Sequence, residues 1–208
     1  MNKTVIHPFG WMAISAFSMV IGISASIALS TTDNWWQIAL SRVSNEPFGF
    51  IFSAGFIVSS LTLAMALHLQ LRHMGRHWGG QMWRLYTFRW LIFGLCLGLF
   101  LIGAFPDRDP WLAPHRAGGW ISVVTATLIS LGAYIWLPPY PPIFKRFSIV
   151  IGVLPYVALV ALLLGIINFT TIELFLLVLG AIWMSVFYAY TRVFTGAATP
   201  DILVDGGD

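Results

Sequence analysis

Residues 48–71 read FGFIFSAGFIVSSLTLAMALHLQL and contain no Asp, Glu, Lys or Arg. The hydrocarbon core of a bilayer is about 30 Å thick, so a helix of about 20 apolar residues is long enough to cross it. Five further stretches are similarly long and predominantly apolar; they cover residues 11–30, 85–105, 120–137, 147–167 and 172–193. The sequence therefore predicts an all-α fold, a polytopic membrane bundle of six transmembrane helices.

The composition of the whole chain agrees with this interpretation. Of its 208 residues, 58% are hydrophobic and 9% are charged, whereas a soluble domain carries about 25% charged residues. A chain of this length could not bury so much apolar surface in water, which excludes a disordered protein and a free-standing soluble enzyme. The single cysteine, Cys96, excludes an internal disulfide and a cysteine-based metal site. We predict no metal and no cofactor.

The distribution of basic residues predicts the orientation in the membrane. Eight of the 11 Lys and Arg residues lie at the two ends of the chain and around the second and fourth connections, and the other three are Arg42, Arg108 and Arg116. The positive-inside rule then places both termini in the cytoplasm. Residues 1–194 are predicted to form one transmembrane domain in the cell membrane and residues 195–208 a flexible cytoplasmic tail. No basic run is long enough for a nucleic-acid partner.

The first connection, residues 31–47, is predicted to lie on the non-cytoplasmic face as a short amphipathic helix. Its apolar members recur at helical spacing and are Trp36, Ala39, Leu40 and Val43. A tryptophan-anchored helix of this kind lies in the membrane interface. We expect the polar members to face mostly the polar side; they are Ser41, Arg42, Ser44 and Glu46.

The third connection, residues 103–119, contains three prolines, two acids, two arginines and one histidine. One interpretation is structural: Asp107 or Asp109 pairs with Arg108 or Arg116 and holds the loop, with pairs that are individually weak. The other is a site for a polar headgroup. In that site Arg42, Arg108 and Arg116 bind phosphate.

The same loops also contain the residue types of an acyl-transfer site. Asp107 could orient His115, and Ser41 could approach His115 from the neighbouring connection. Ser41, Asp107 and His115 are therefore the candidate catalytic group. The sequence contains no nucleophile-elbow motif, and one histidine with two acids is too few for a zinc site.

Two local patterns predict how the helices begin and pack. Thr170 and Glu173 have the spacing of a capping box, which predicts that Glu173 satisfies N–H groups in the first turn of the sixth helix. Small residues at Gly22 and Gly98 predict close helix contacts, because packing in lipid depends on small side chains.

The chain resembles the DRAM/Frag/Sfk group of six-helix membrane proteins. The resemblance covers residues 8–194 and is carried by Ser41-Arg42, by Gly-Ala-Phe-Pro-Asp at 103–107 and by His115. It implies six helices with cytoplasmic termini and a role in a lipid-linked process: remodelling of lipid anchors, membrane lipid organisation or autophagy. It points to Ser41, Arg42, Asp107 and His115 as the polar cluster.

Three functions follow from these observations. The first is an integral membrane protein that binds or organises lipids through a headgroup site on the non-cytoplasmic face. The second is a membrane-embedded lipid hydrolase or transferase that uses Ser41, Asp107 and His115. The third is a structural subunit of a larger membrane complex, with a membrane-protein partner that contacts the aromatic residues, which make up 15% of the chain.

Overall fold

The computed structural model describes residues 8–31, 34–37, 39–77, 82–136 and 141–194. Within these ranges the fold is all-helical, as predicted. The six α-helices are α1 (Pro8–Ala28), α2 (Gly49–His77), α3 (Met82–Ala104), α4 (Leu112–Trp136), α5 (Pro142–Leu163) and α6 (Phe169–Phe194). Two short 3₁₀ helices, Trp35–Gln37 and Leu40–Asn45, lie between α1 and α2; we call this pair the cap. The predicted tail at 195–208 lies outside the described residues.

Among the described residues, five helices are long and apolar enough to cross a membrane: α1, α2, α3, α5 and α6. The chain is therefore built as a multi-pass membrane protein. Helix α4 is also long, at 25 residues, but its first two turns contain Pro114, His115 and Arg116. A sixth crossing by α4 stays a prediction.

Helix α4 begins eight residues earlier than the predicted span. Pro114 lies in its first turn, where proline is tolerated because the first N–H groups of a helix have no intrahelical acceptor. His115, Arg116 and the two following glycines are therefore helical. The prediction that they belong to the third connection, residues 103–119, is wrong, and the connection between α3 and α4 shortens to residues 105–111.

Glycines allow two pairs of helices to approach closely, as predicted for Gly22 and Gly98. A Cβ atom added to Gly22 would lie 2.8 Å from the Cα of Gly55, so α1 and α2 meet backbone to backbone. A Cβ atom added to Gly98 would collide with Ser122 and with the carbonyl oxygen of Gly118, so α3 and α4 meet in the same way. Association in lipid depends on such close packing.

The cap is part of the hydrophobic core. Leu40 and Val43 are fully buried and pack in one cluster with Phe52 and Phe56 of α2. Residues three apart lie on the same side of a 3₁₀ helix, so both side chains point inward. The prediction of one short amphipathic helix is therefore wrong in form, since the connection contains two 3₁₀ helices; its location in the membrane interface stays a prediction.

Candidate functional site

Three separate parts of the chain meet at one end of the bundle, which we call the cap end. The Asn45 side chain of the cap donates to the carbonyl oxygen of Asp107 in the α3–α4 connection, at 2.9 Å. The Asn168 side chain, just before α6, donates to the carbonyl oxygen of Trp36 at 2.7 Å. The cap end thus brings together segments more than 100 residues apart in sequence.

Ser41 lies between two carboxylates at the cap end. Its hydroxyl donates to Oδ2 of Asp107 at 3.3 Å, and its hydroxyl and backbone N–H also interact with the carboxylate of Glu173. Only 8% of Ser41 is exposed. The expectation that Ser41 faces the polar side is wrong, because its 3₁₀ helix turns it towards α6.

Glu173 holds the cap onto α6. Its Oε2 accepts from the backbone N–H of Leu40 at 2.5 Å. The predicted capping role of Glu173 is wrong, since Oδ1 of Asn168 accepts from the N–H and the hydroxyl of Thr171, both at 2.8 Å, and so caps α6. The sequence signal for the true role is a carboxylate one turn inside an apolar helix, a costly position that points to a specific partner.

Asp107 is the second carboxylate of the cap end. Its Oδ2 lies 4.0 Å from Nε of Arg42, and the two side chains are 13% and 63% exposed. The expected pairing of Asp107 with Arg108 or Arg116 does not form; both arginines are exposed and have no ion pair among the described residues. The three arginines predicted to bind phosphate are all exposed, and we call the surface that they form the rim. Of the three, only Arg42 lies beside the cluster of Ser41, Asp107 and Glu173.

His115 is buried, with 6% of its surface exposed. Its Nδ1 lies 2.7 Å from the carbonyl oxygen of Phe105. A carbonyl can only accept, so Nδ1 carries the proton, and Nε2 of the neutral ring is an acceptor. The prediction that Asp107 orients His115 is wrong, because the Phe105 carbonyl fills that position. Within the described residues, Ser41, Asp107 and His115 form no continuous hydrogen-bond chain.

An interhelical cavity of about 510 Å³ begins directly beneath Ser41 and Glu173. All six helices contribute to its walls, and it extends to Phe9 and Tyr188 towards the opposite end of the bundle. The walls are mostly aliphatic and aromatic. Glu173 is the only Asp, Glu, Lys, Arg or His among the described residues that line it.

Two glycines on the cavity wall face open space. A Cβ atom added to Gly119 of α4 or to Gly180 of α6 would meet no atom within 4 Å, and both residues line the cavity. Nothing in the sequence distinguishes these glycines from those at the tight helix contacts. The cavity is therefore the main feature of the site that sequence reasoning missed.

One hydroxyl group that lines the cavity lacks a partner. The Oγ of Ser122 is buried without a hydrogen bond, and it lies against Gly98. Burying an unpaired hydroxyl costs free energy, so Ser122 destabilises the contact between α3 and α4.

The described residues contain no cluster of three or more His, Cys, Asp or Glu side chains that could hold a metal ion. The arrangement at the cap end is instead a small hydrogen-bonded cluster over an apolar cavity. No family model matches the chain, and no curated protein or solved structure matches it.

Proposed function

We propose that this protein is an integral membrane protein of the cell membrane that binds a lipid, with the hydrocarbon part in the interhelical cavity and the polar head at the cap end. The proposed topology has six membrane crossings, with α4 as the fourth, and both termini in the cytoplasm. The cap end is then non-cytoplasmic. We also propose membership of the DRAM/Frag/Sfk group, which would imply the same class of function.

The observation that carries the proposal is the cavity. Its volume of about 510 Å³ falls within the range of about 300–1,000 Å³ typical of small-molecule sites. Protein interiors otherwise pack as densely as organic crystals. An apolar space of this size inside a membrane protein is suited to a hydrocarbon chain, which satisfies the dispersion contacts of the walls.

The polar residues of the cap end fit the head of such a molecule. Ser41 and Glu173 stand at the top of the cavity, where a head group could exchange hydrogen bonds with them. Arg42, Arg108 and Arg116 are exposed at the rim, where they can contact phosphates of the surrounding bilayer. In this arrangement Ser41 and Glu173 contact the head of the bound ligand, whereas the arginines contact the headgroups of the surrounding bilayer.

Lipid retention after purification tests the proposal. Wild-type protein in a mild detergent should keep a bound lipid, detected by native mass spectrometry and identified by lipidomics. Gly180→Leu should lose that lipid, because the new side chain fills the cavity without a clash at its Cβ. Ala189→Leu is the matched control, because Ala189 is exposed on the same helix as Gly180 but does not line the cavity. Equal retention by the two variants, or no retention by the wild type, would overturn the proposal.

The orientation needs a separate measurement. In a Cys96→Ala background, Asp109→Cys and Arg146→Cys place single thiols at opposite ends of the bundle. A membrane-impermeant maleimide applied to intact cells should label the first and not the second. Labelling of both, or of the second alone, would contradict the proposed topology.

A further inference from the structure

We propose that the ligand of the cavity is a single-chain amphiphile with a hydrogen-bond-donating ammonium head, and that Glu173 selects this head. This inference rests on the proposed function, because it names the class of lipid that the same cavity takes. It reverses the expectation of a phosphate in the site: the arginines lie outside the cavity, and a carboxylate lies inside it.

The charge of the lining residues favours a cationic head. Glu173 is the single charged side chain among the described lining residues, and Asp107 adds a second carboxylate behind Ser41. The nearest basic partner in this cluster, Arg42, is mostly exposed and contacts Asp107. An ammonium head therefore supplies a countercharge that the described cavity lacks, whereas a phosphate, sulfate or carboxylate head is repelled.

The hydrogen-bonding capacity of the cap end leads to the same conclusion. An ionised carboxylate accepts hydrogen bonds at about four positions and donates none. The cap supplies donors from Leu40 and Ser41, so Glu173 keeps capacity for a further donor from the cavity side. An ammonium group has up to three N–H donors and no acceptor, which fits this requirement.

The dimensions of the cavity match one chain. The cavity is long, and its walls are mostly aliphatic and aromatic. The lining residues on α6 run from Glu173 to Tyr188. At 1.5 Å per residue this distance is about 22 Å, which is also the length of one extended chain.

Competition photolabelling tests the inference. The full chain is placed in phosphatidylcholine vesicles with a diazirine-bearing fatty alcohol, and labelling of residues 180–188 is quantified by mass spectrometry. Tetradecylamine, tetradecanol and tetradecyl sulfate are the competitors, at equal low mole fractions. We expect the amine to displace the label at about tenfold lower concentration than the alcohol, because one charge-assisted hydrogen bond contributes about that much to affinity. The sulfate should compete least.

Glu173→Gln is the decisive variant. The glutamine oxygen can still accept from the N–H of Leu40, so the cap stays attached while the charge is removed. The tenfold advantage of the amine should disappear, and displacement by the alcohol should stay within about twofold, well below one charge-assisted bond. Glu46→Gln changes a carboxylate in the connection between α1 and α2 that does not line the cavity, and this control should behave as wild type.

The outcomes separate this inference from the proposed function. A sulfate that competes as well as the amine, or an amine advantage that survives in Glu173→Gln, overturns the inference and leaves the lipid site in place. A label on residues 180–188 that none of the three competitors displaces overturns the lipid site itself.

Discussion

Gly118 and Gly119 are neighbours in α4, yet they face opposite kinds of surroundings. A Cβ atom added to Gly118 would lie 2.7 Å from the carbonyl oxygen of Gly98 and 2.8 Å from Cβ of Leu101, whereas one added to Gly119 would meet nothing within 4 Å. One side of α4 is thus packed against α3 at backbone distance, and the adjacent side borders the cavity. The close contacts hold the helices in place, so the cavity can stay open.

Substitution of the two kinds of glycine should give the largest difference in stability. Gly98→Leu forces α3 and α4 apart, because its Cβ would collide with Ser122 and Gly118. Overpacking of this kind costs about 1–3 kcal/mol or more, and we expect loss of the folded, monodisperse protein. Gly119→Leu should fold at wild-type yield, since helix propensity favours leucine over glycine by about 0.5–1 kcal/mol.

Thermal unfolding followed by circular dichroism, with size-exclusion chromatography in detergent, distinguishes the two variants. Equal thermal midpoints for Gly98→Leu and Gly119→Leu would contradict the contrast between the close contact at Gly98 and the open cavity wall at Gly119.

The attachment of the cap to α6 gives the next largest effect. Glu173→Ala removes the acceptor for the N–H of Leu40 and leaves a buried donor unpaired, a loss of about 1–3 kcal/mol. We expect the cap to detach and trypsin to cleave faster after Arg42, measured by mass spectrometry. Glu173→Gln keeps an acceptor and should cleave at the wild-type rate; faster cleavage there too would show that charge, and not the hydrogen bond, holds the cap.

Two buried serines test how a hydroxyl group with a hydrogen-bond partner and one without a partner contribute to stability. Ser148→Ala removes the acceptor for Nε1 of Trp183, a buried bond of 3.0 Å between α5 and α6, and should destabilise the fold by about 1 kcal/mol. Ser122→Ala removes a buried hydroxyl without a partner and should stabilise it by a similar amount, about 1 kcal/mol. Thermal shifts of opposite sign are the expected result, and shifts of the same sign would refute this assignment.

The close helix contacts could be predicted from the sequence, but the cavity could not. Small residues in apolar helices are typical of close packing, and Gly22 and Gly98 do pack closely. Gly180 has the same residue type but faces open space, because whether a glycine meets a neighbour depends on how the helices are arranged in three dimensions. A one-dimensional pattern contains no information on that arrangement.

The candidate site shows the same limit. The sequence brought Ser41 and Asp107 into one cluster, and the structure confirms that pair. Local spacing assigned Glu173 to its own helix end, whereas its hydrogen bond reaches a residue 133 positions earlier in the chain. Because Pro114 was interpreted as a loop residue, the early start of α4 was not predicted. The hydrogen bond between His115 and the carbonyl oxygen of Phe105 was therefore not predicted either.

The smallest expected effect lies at the rim, where Arg42 meets Asp107. The guanidinium is 63% exposed and its Nε lies 4.0 Å from the carboxylate. Exposed pairs contribute about 0–1 kcal/mol, so Arg42→Gln should shift the thermal midpoint little and leave amine displacement unchanged. Asp107 keeps its hydrogen bonds from Ser41 and Asn45 side chains in that variant. A strong loss of amine binding would mean that Arg42 belongs to the head-group site, and the division between an anionic interior and a basic rim would be wrong.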